Sequence, residues 1–314
     1  MRTIYLLVGL STAAVAAASA GLILPAAEAP RAAPITVVPA SATAAPVAHA
    51  VVAAPAETAA PRSAARVRAN SGTWWKPAVS DTWQWQLTGK INTGYDVAVY
   101  DLDLFDTTDA TIAQVRARGS KLICYFSAGS SENWRDDFKD FDAADLGKPL
   151  DGWAGERWVD VRSQNVRRIM AKRLDLAAER GCDGVEPDNM DGFANKNGLG
   201  LTGADQLDYN RFLATEAHRR GLAVGLKNDL DQIVALVDSF DFAVNEQCAQ
   251  YKECGKLKPF TNAGKPVFNA EYQARYRTNA NGARDKLCAA SGAANIRTLV
   301  LPLKLNDKYR FSCD

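Results

Sequence analysis

The chain has 314 residues, 37 basic against 36 acidic side chains, six cysteines and two histidines. His49 lies in a low-complexity leader, which leaves His218 alone in the rest, so a His-rich zinc centre and imidazole-based nucleophilic catalysis are poorly supplied. The near-balanced charge excludes the basic surface that nucleic acid requires, and acid/base or nucleophilic chemistry without metal or cofactor falls to Asp and Glu.

Residues 1–70 hold seven of the 13 prolines, many alanines, and neither Trp nor Cys. Arg2, the apolar run Ile4–Leu10 and the Ala-rich stretch to Ala20 read as a secretory signal, with Ala18-Ser19-Ala20 and Ala27-Glu28-Ala29 as small-residue cleavage sites. The alternative is an uncleaved anchor, because the apolar stretch to Leu24 approaches a bilayer span. The expected organisation is a signal peptide or anchor over 1–29, a disordered Ala/Pro-rich linker over 30–70, and one domain over 71–314. The domain then lies outside the cytosol, secreted or held at the membrane by the leader.

Short apolar runs recur along that domain: TWQWQL, DVAVYDLDLF, KLICYF, CDGVEP, LAVGLKN, FAVNEQ, PVFNAEY and IRTLVLP. Helical periodicity separates most of them. Ile112 and Val115 mark one helix. Val166, Ile169, Met170, Leu174 and Ala177 mark a longer one ending at Gly181. A third begins at the capping-box variant Thr202-Gly-Ala-Asp205 and stops at Gly221, and Ile233, Val234 and Val237 give a fourth. Eight runs in alternation with helices predict an α/β fold, a closed (β/α)8 TIM barrel, over an open flavodoxin-like sheet. No glycine-rich nucleotide fingerprint follows the first run.

An even cysteine count in an exported chain favours disulfides over metal. Cys248 and Cys254 enclose a short segment and pair. Cys313 with Cys288 would pin the C-terminus to the last helix. By elimination Cys124 pairs with Cys182, with two reduced core thiols as the alternative.

Barrel active sites gather where strands end. Here the ends carry Asp101, Asp103 and Asp106; Tyr125 and Ser127; Glu186, Asp188, Asn189 and Asp191; Lys227 and Asn228; Asn245 and Glu246; Glu271 and Tyr272. Any one of these is more often an ion pair or loop cap. Their accumulation on several strands predicts a carboxylate-lined pocket, the equipment of a glycosidase, and one suited to a cationic sugar. All seven tryptophans fall in the domain's first half, either as sugar platforms or as core.

The blocks YDVAVYDLDLFDT, KLICYFSAGSSENWR, GWAGERWVDVR, GCDGVEPDNMDG, VGLKND, DFAVNEQC and VFNAEY, in that order, resemble the endo-α-1,4-polygalactosaminidases of glycoside hydrolase family 114 across Trp74 to Cys313. The resemblance implies a (β/α)8 barrel cleaving within chains of α-1,4-linked galactosamine, a cationic polysaccharide. It also implies a catalytic pair at Asp188 and Glu246, with Asp188 expected as nucleophile and Glu246 as general acid/base. Strand alternation points Glu186 and Asp188 to one side, so Glu186 remains a rival. Asp103, Tyr125, Asn189, Lys227, Glu271 and Tyr272 are expected as substrate contacts or pKa tuners, with a carboxylate-fixing salt bridge as the other reading of Lys227. His218 is expected on the outer face. A monomer is expected. The competing functions are a catalytically silent carbohydrate-binding barrel and an α-glycosidase of another specificity.

Overall fold

The computed structural model describes residues 73–314. The expected leader and linker lie outside them. Eight strands, β1 (Trp83–Gln86), β2 (Val99–Asp103), β3 (Lys121–Ser127), β4 (Gly184–Asp188), β5 (Ala223–Lys227), β6 (Phe242–Glu246), β7 (Val267–Glu271) and β8 (Ile296–Val300), lie side by side in chain order. Every neighbouring pair among them is parallel. Each apolar run of the sequence supplies one strand, and the fold is a (β/α)8 barrel.

The main crossover helices are α1 (Asp109–Ala117), α2 (Gln164–Glu179), α3 (Gly203–Arg219) and α4 (Ala283–Ala293). Their starts are chemically specified. Ser163 caps α2, and Thr202 with Asp205 forms a reciprocal capping box on α3, each satisfying amides that a helix start leaves bare. Along α2, Val166, Ile169, Met170, Leu174 and Ala177 are all buried, the stripe that a 3.6-residue period lays against a sheet. Short helices serve the crossovers after β5 (Ile233–Leu236) and β6 (Cys248–Tyr251 with Lys258–Asn262), and residues 87–98 between β1 and β2 form no helix.

Alternation along the strands sorts the apolar side chains into two layers. Tyr100, Leu102, Leu122, Phe126, Val185, Val224 and Leu226 face the helices. Trp83, Trp85, Val99, Ile123, Phe242, Val244, Phe268 and Leu299 fill the barrel. A Cβ on Gly225 would stand 2.3 Å from the Phe242 ring, so glycine there makes room for that ring in the centre. The same parity sends Asp101, Glu186 and Lys227 into the interior above this apolar floor.

Among the described residues no backbone ladder joins β8 to β1. The seam is closed by the last segment: Phe311–Ser312 pairs antiparallel with β8, and the Arg310 side chain donates to the Trp83 carbonyl. Trp83 Nε1 in turn donates to the Arg297 carbonyl of β8 at 3.1 Å.

Between β3 and α2 the chain inserts a small antiparallel sheet, Ser130–Glu132, Leu146–Pro149 and Glu156–Val159, with the third strand in the middle. Three disulfides, Cys124–Cys182, Cys248–Cys254 and Cys288–Cys313, use all six cysteines. At the opposite end of the barrel Trp74 stacks on His218, with ring centroids 3.9 Å apart. Both donate to Asp241, which also binds Lys76 at 2.6 Å and the Val224 amide. Trp74 and His218 are therefore structural, far from the strand ends that carry chemistry.

Candidate active site

A cleft of about 690 Å³ opens at the C-terminal ends of the strands. Its floor is Trp85, Tyr125, Asp188, Lys227, Asn228 and Glu246. One wall comes from the inserted sheet through Lys148–Trp158, another from the loop 189–196 after β4, and a third from Leu303 and Leu305 of the seam segment.

The floor is organised around a single buried cation. Lys227 is 2 % exposed, and its ammonium lies 2.8 Å from Glu186 Oε1, 3.1 Å from Asp188 Oδ1 and 3.6 Å from Glu246 Oε2. It also lies over the Trp85 ring, 4.8 Å from the centroid. Burial alone would depress its pKa, but the charges of Asp188, Glu186 and Glu246 outweigh that and hold it well above the usual lysine value. Because Asp188 Oδ1 and Glu246 Oε2 share this one nitrogen, their separation is bounded by the two contact distances together. That bound admits both the ~5–5.5 Å of retaining pairs and the short end of the ~6.5–9.5 Å range of inverting pairs.

Each of the two upper carboxylates is oriented by a tyrosine. Tyr125 donates to Asp188 Oδ2 at 2.8 Å, and Tyr272 donates to Glu246 Oε1 at 2.5 Å. Burial, followed by the adjacent carboxylate, raises both phenols well above their ordinary value, so both remain donors. The Asn189 amide donates to Asp188 Oδ1 at 2.7 Å. Asn228 clasps Glu246 twice, accepting from its backbone amide at 3.0 Å and donating to Oε2 at 3.2 Å.

The residues that follow the three site positions, Asn189, Asn228 and Gln247, all take left-handed backbone, with φ of 61°, 49° and 61°. Such strain gathers at functional sites, where it turns the chain away at once from the strand end. Gly129 permits one of these turns. A Cβ there would overlap the Asn189 carbonyl at 1.8 Å, while the Ala128 and Gly129 amides donate to the Asp188 carbonyl.

The sequence-expected residues divide into two groups. Asp188, Glu246, Tyr125, Asn189, Lys227 and Tyr272 converge on the floor. Asp103 and Glu271, expected as substrate contacts or pKa tuners, do not line this cleft. Glu271 has the outward parity of β7, is fully buried, and accepts from the Ala249 amide at 2.7 Å. Asp103 is taken by Arg135 of the insert in a buried ion pair at 2.6 Å. Glu186, the rival to Asp188, points the same way one layer deeper and is fully buried, with no access to the cleft.

The structure adds Glu156, which strand-end reasoning did not select, beside Asp191 of the strand-end group. Burial raises Glu156 to about 7 and Asp191 to about 6, with the nearby Asp188 charge adding to each; a hydrogen bond from Ser130 only partly offsets the shift in Glu156. Trp153 lines the cleft with half its surface exposed, whereas Trp83 and Trp85 are buried. Glu156 lies in ERWV, whose alternation was the available signal.

Residues 64–314 match glycoside-hydrolase family GH114. A crystal structure of Aspergillus fumigatus Ega3 in complex with galactosamine is 43% identical, with a TM-score of 0.72 over 77% of this chain and 99% of that one. The glycoside hydrolase domain of PelA from Pseudomonas aeruginosa shares the fold at 17% identity, with a TM-score of 0.58 over 74% of this chain and 98% of that domain. No curated protein matches the chain. With a match over the whole barrel and a relative of this similarity, the chain is a glycoside hydrolase and belongs to family GH114.

Proposed function

We propose that the chain is an exported, endo-acting hydrolase of α-1,4-linked, galactosamine-rich polysaccharide, working as a monomer through Asp188 and Glu246. The observation that carries this reading is the pair of carboxylates held on one buried ammonium at the cleft floor, each with its own tyrosine donor. Asp188 attacks the anomeric carbon as the glycosidic bond breaks, and Glu246 gives its proton to the departing oxygen. Glu246 then takes a proton from water, which displaces Asp188 from the glycosyl ester and restores both groups. The limit on their separation leaves room for this double displacement with retention.

A cationic sugar is supported by the acids around the floor, since Asp151, Glu156 and Asp191 line the cleft with the catalytic pair. The exposed Trp153 face offers an apolar platform for a sugar ring. Galactosamine itself is the ligand of the similar Ega3 structure, and endo action follows the family resemblance. Export agrees with three disulfides, which persist in oxidising compartments.

The test is incubation of the purified chain with de-N-acetylated and fully acetylated galactosamine polymers, beside Asp188→Asn and Glu246→Gln. The wild type should release oligosaccharides of retained anomeric configuration from the deacetylated polymer, unaffected by a metal chelator. Each variant should lose at least about 100-fold in rate. Release from neither polymer overturns the substrate class, and variants with full activity overturn the site.

A further inference from the structure

Beneath the catalytic pair, three carboxyl oxygens have no donor. Asp101 Oδ1 and Oδ2 and Glu186 Oε2 are buried without an N–H or O–H partner among the described residues. Both side chains are fully buried, and the Glu186 charge is, after burial itself, the strongest influence on the Asp101 carboxyl. Two bare carboxylates acting on each other inside a barrel are strongly disfavoured. The pair therefore holds one proton and one negative charge. Glu186 is the ionised member, because its other oxygen lies 2.8 Å from the Lys227 ammonium. Burial and the Glu186 charge push Asp101 well above the carboxylate range, the direction expected of the proton's holder.

We propose, on the assignment of Asp188 and Glu246 made above, that Asp101 and Glu186 are positioning residues. A neutral Asp101 donates to an ionised Glu186, and that one buried charge holds Lys227 below both catalytic carboxylates instead of letting it close on either.

The charged and titratable groups facing Lys227 are Glu186 and Asp188 from β4, Glu246 from β6 and the Tyr125 ring from β3, with Trp85 beneath and Tyr272 bonded to Glu246. Lys227 is already shortest to Glu186. Without that anchor its whole charge falls on Asp188 and Glu246, blunting the first as a nucleophile and the second as an acid. When Asp188 becomes a glycosyl ester its charge vanishes, and an anchored Lys227 then serves Glu246 alone, favouring the carboxylate form that must next accept a proton from water. The proton on Asp101 keeps the floor from carrying a further negative charge.

The experiment uses the full chain on deacetylated galactosamine polymer. Glu186→Gln should lower kcat at least about tenfold with KM within about twofold, and should move both limbs of the pH–rate profile to lower pH, because removing a negative charge favours ionised carboxylates. Asp101→Leu should fall similarly, whereas Asp101→Asn, a neutral isostere that still donates, should recover to within about threefold of wild type. An infrared difference spectrum at neutral pH, wild type minus Asp101→Asn, should contain the C=O stretch of a buried carboxylic acid, a signal independent of how well Asp101→Leu folds. Asp101→Asn as slow as Asp101→Leu, an unmoved profile for Glu186→Gln, or a missing acid band each overturns the inference. Asp188→Asn is assayed beside them. Its inactivity leaves the nucleophile assignment standing whatever the others do, and full activity removes that assignment together with the inference built on it.

Discussion

Glu156 and Asp191 give the cleft a charge that varies across neutral pH. Their folded values, about 7 and about 6, lie above the ordinary carboxylate range, so both are neutral in mild acid and ionise in turn as pH rises. The cleft thus becomes more negative by up to two charges while the polymer's amines are still protonated. KM for a cationic polymer should fall severalfold between pH values below about 6 and above about 7, and the double variant Glu156→Gln, Asp191→Asn should flatten that dependence. A KM that is independent of pH in the wild type would show that these acids do not meet the amines. At this scale the family resemblance singled out Asp188 and Glu246, the pair proposed to be catalytic, and parity alone brought Glu186 and Asp188 to one side. Depth along the strand separates them, since Glu186 lies a full layer below the cleft. Asp103 is drawn away from the cleft by Arg135, which sits 32 positions away in an insert whose docking no local pattern announces. Glu271 is kept from the cleft for a simpler reason: its strand parity faces the helix layer.

At the scale of elements, the eight apolar runs were legible because a strand in a filled barrel is apolar on both faces and bounded by turn residues. The inserted sheet was not, because its three short strands alternate weakly and owe their pairing to one another. The disulfides tie elements across different lengths of chain, and their contributions should differ accordingly. Chain-entropy arguments put Cys124–Cys182, which spans 58 residues, at about 4 kcal/mol. Cys288–Cys313, spanning 25, comes to about 3.5 kcal/mol, and Cys248–Cys254, spanning six, to about 2 kcal/mol. Paired Cys→Ala variants should lose thermal stability in that order when melted by calorimetry. A reversal between the longest and shortest loops would show that packing around the sulfurs outweighs the loop constraint.

Over the whole molecule, the far end of the barrel is fastened by Asp241. Burial alone would raise its carboxyl, but hydrogen bonds from His218, Lys76, Trp74 and the Val224 amide prevail and hold it below the usual range. A depressed folded value means stability that is present above the unfolded value, near pH 3.9, and lost as pH falls through the folded one. Asp241→Asn should therefore melt lower than wild type at neutral pH, by about 1–3 kcal/mol, with the difference shrinking in strong acid. Denaturant titrations at the two pH values measure this, and a constant gap would contradict it. This clasp gathers residues from three stretches of chain, around positions 74–76, 218–224 and 241, so no local sequence pattern announced it.

The left-handed residues that cap β4, β5 and β6 have a consequence for how such a protein can change. Each directs the chain outward in the single step after a floor residue, Asp188, Lys227 or Glu246, so the walls start from fixed points and the floor stays the same however long the excursion. Insertions, deletions and exchanges beyond Asn189, Asn228 and Gln247 can then alter which polymer is gripped without disturbing the chemistry.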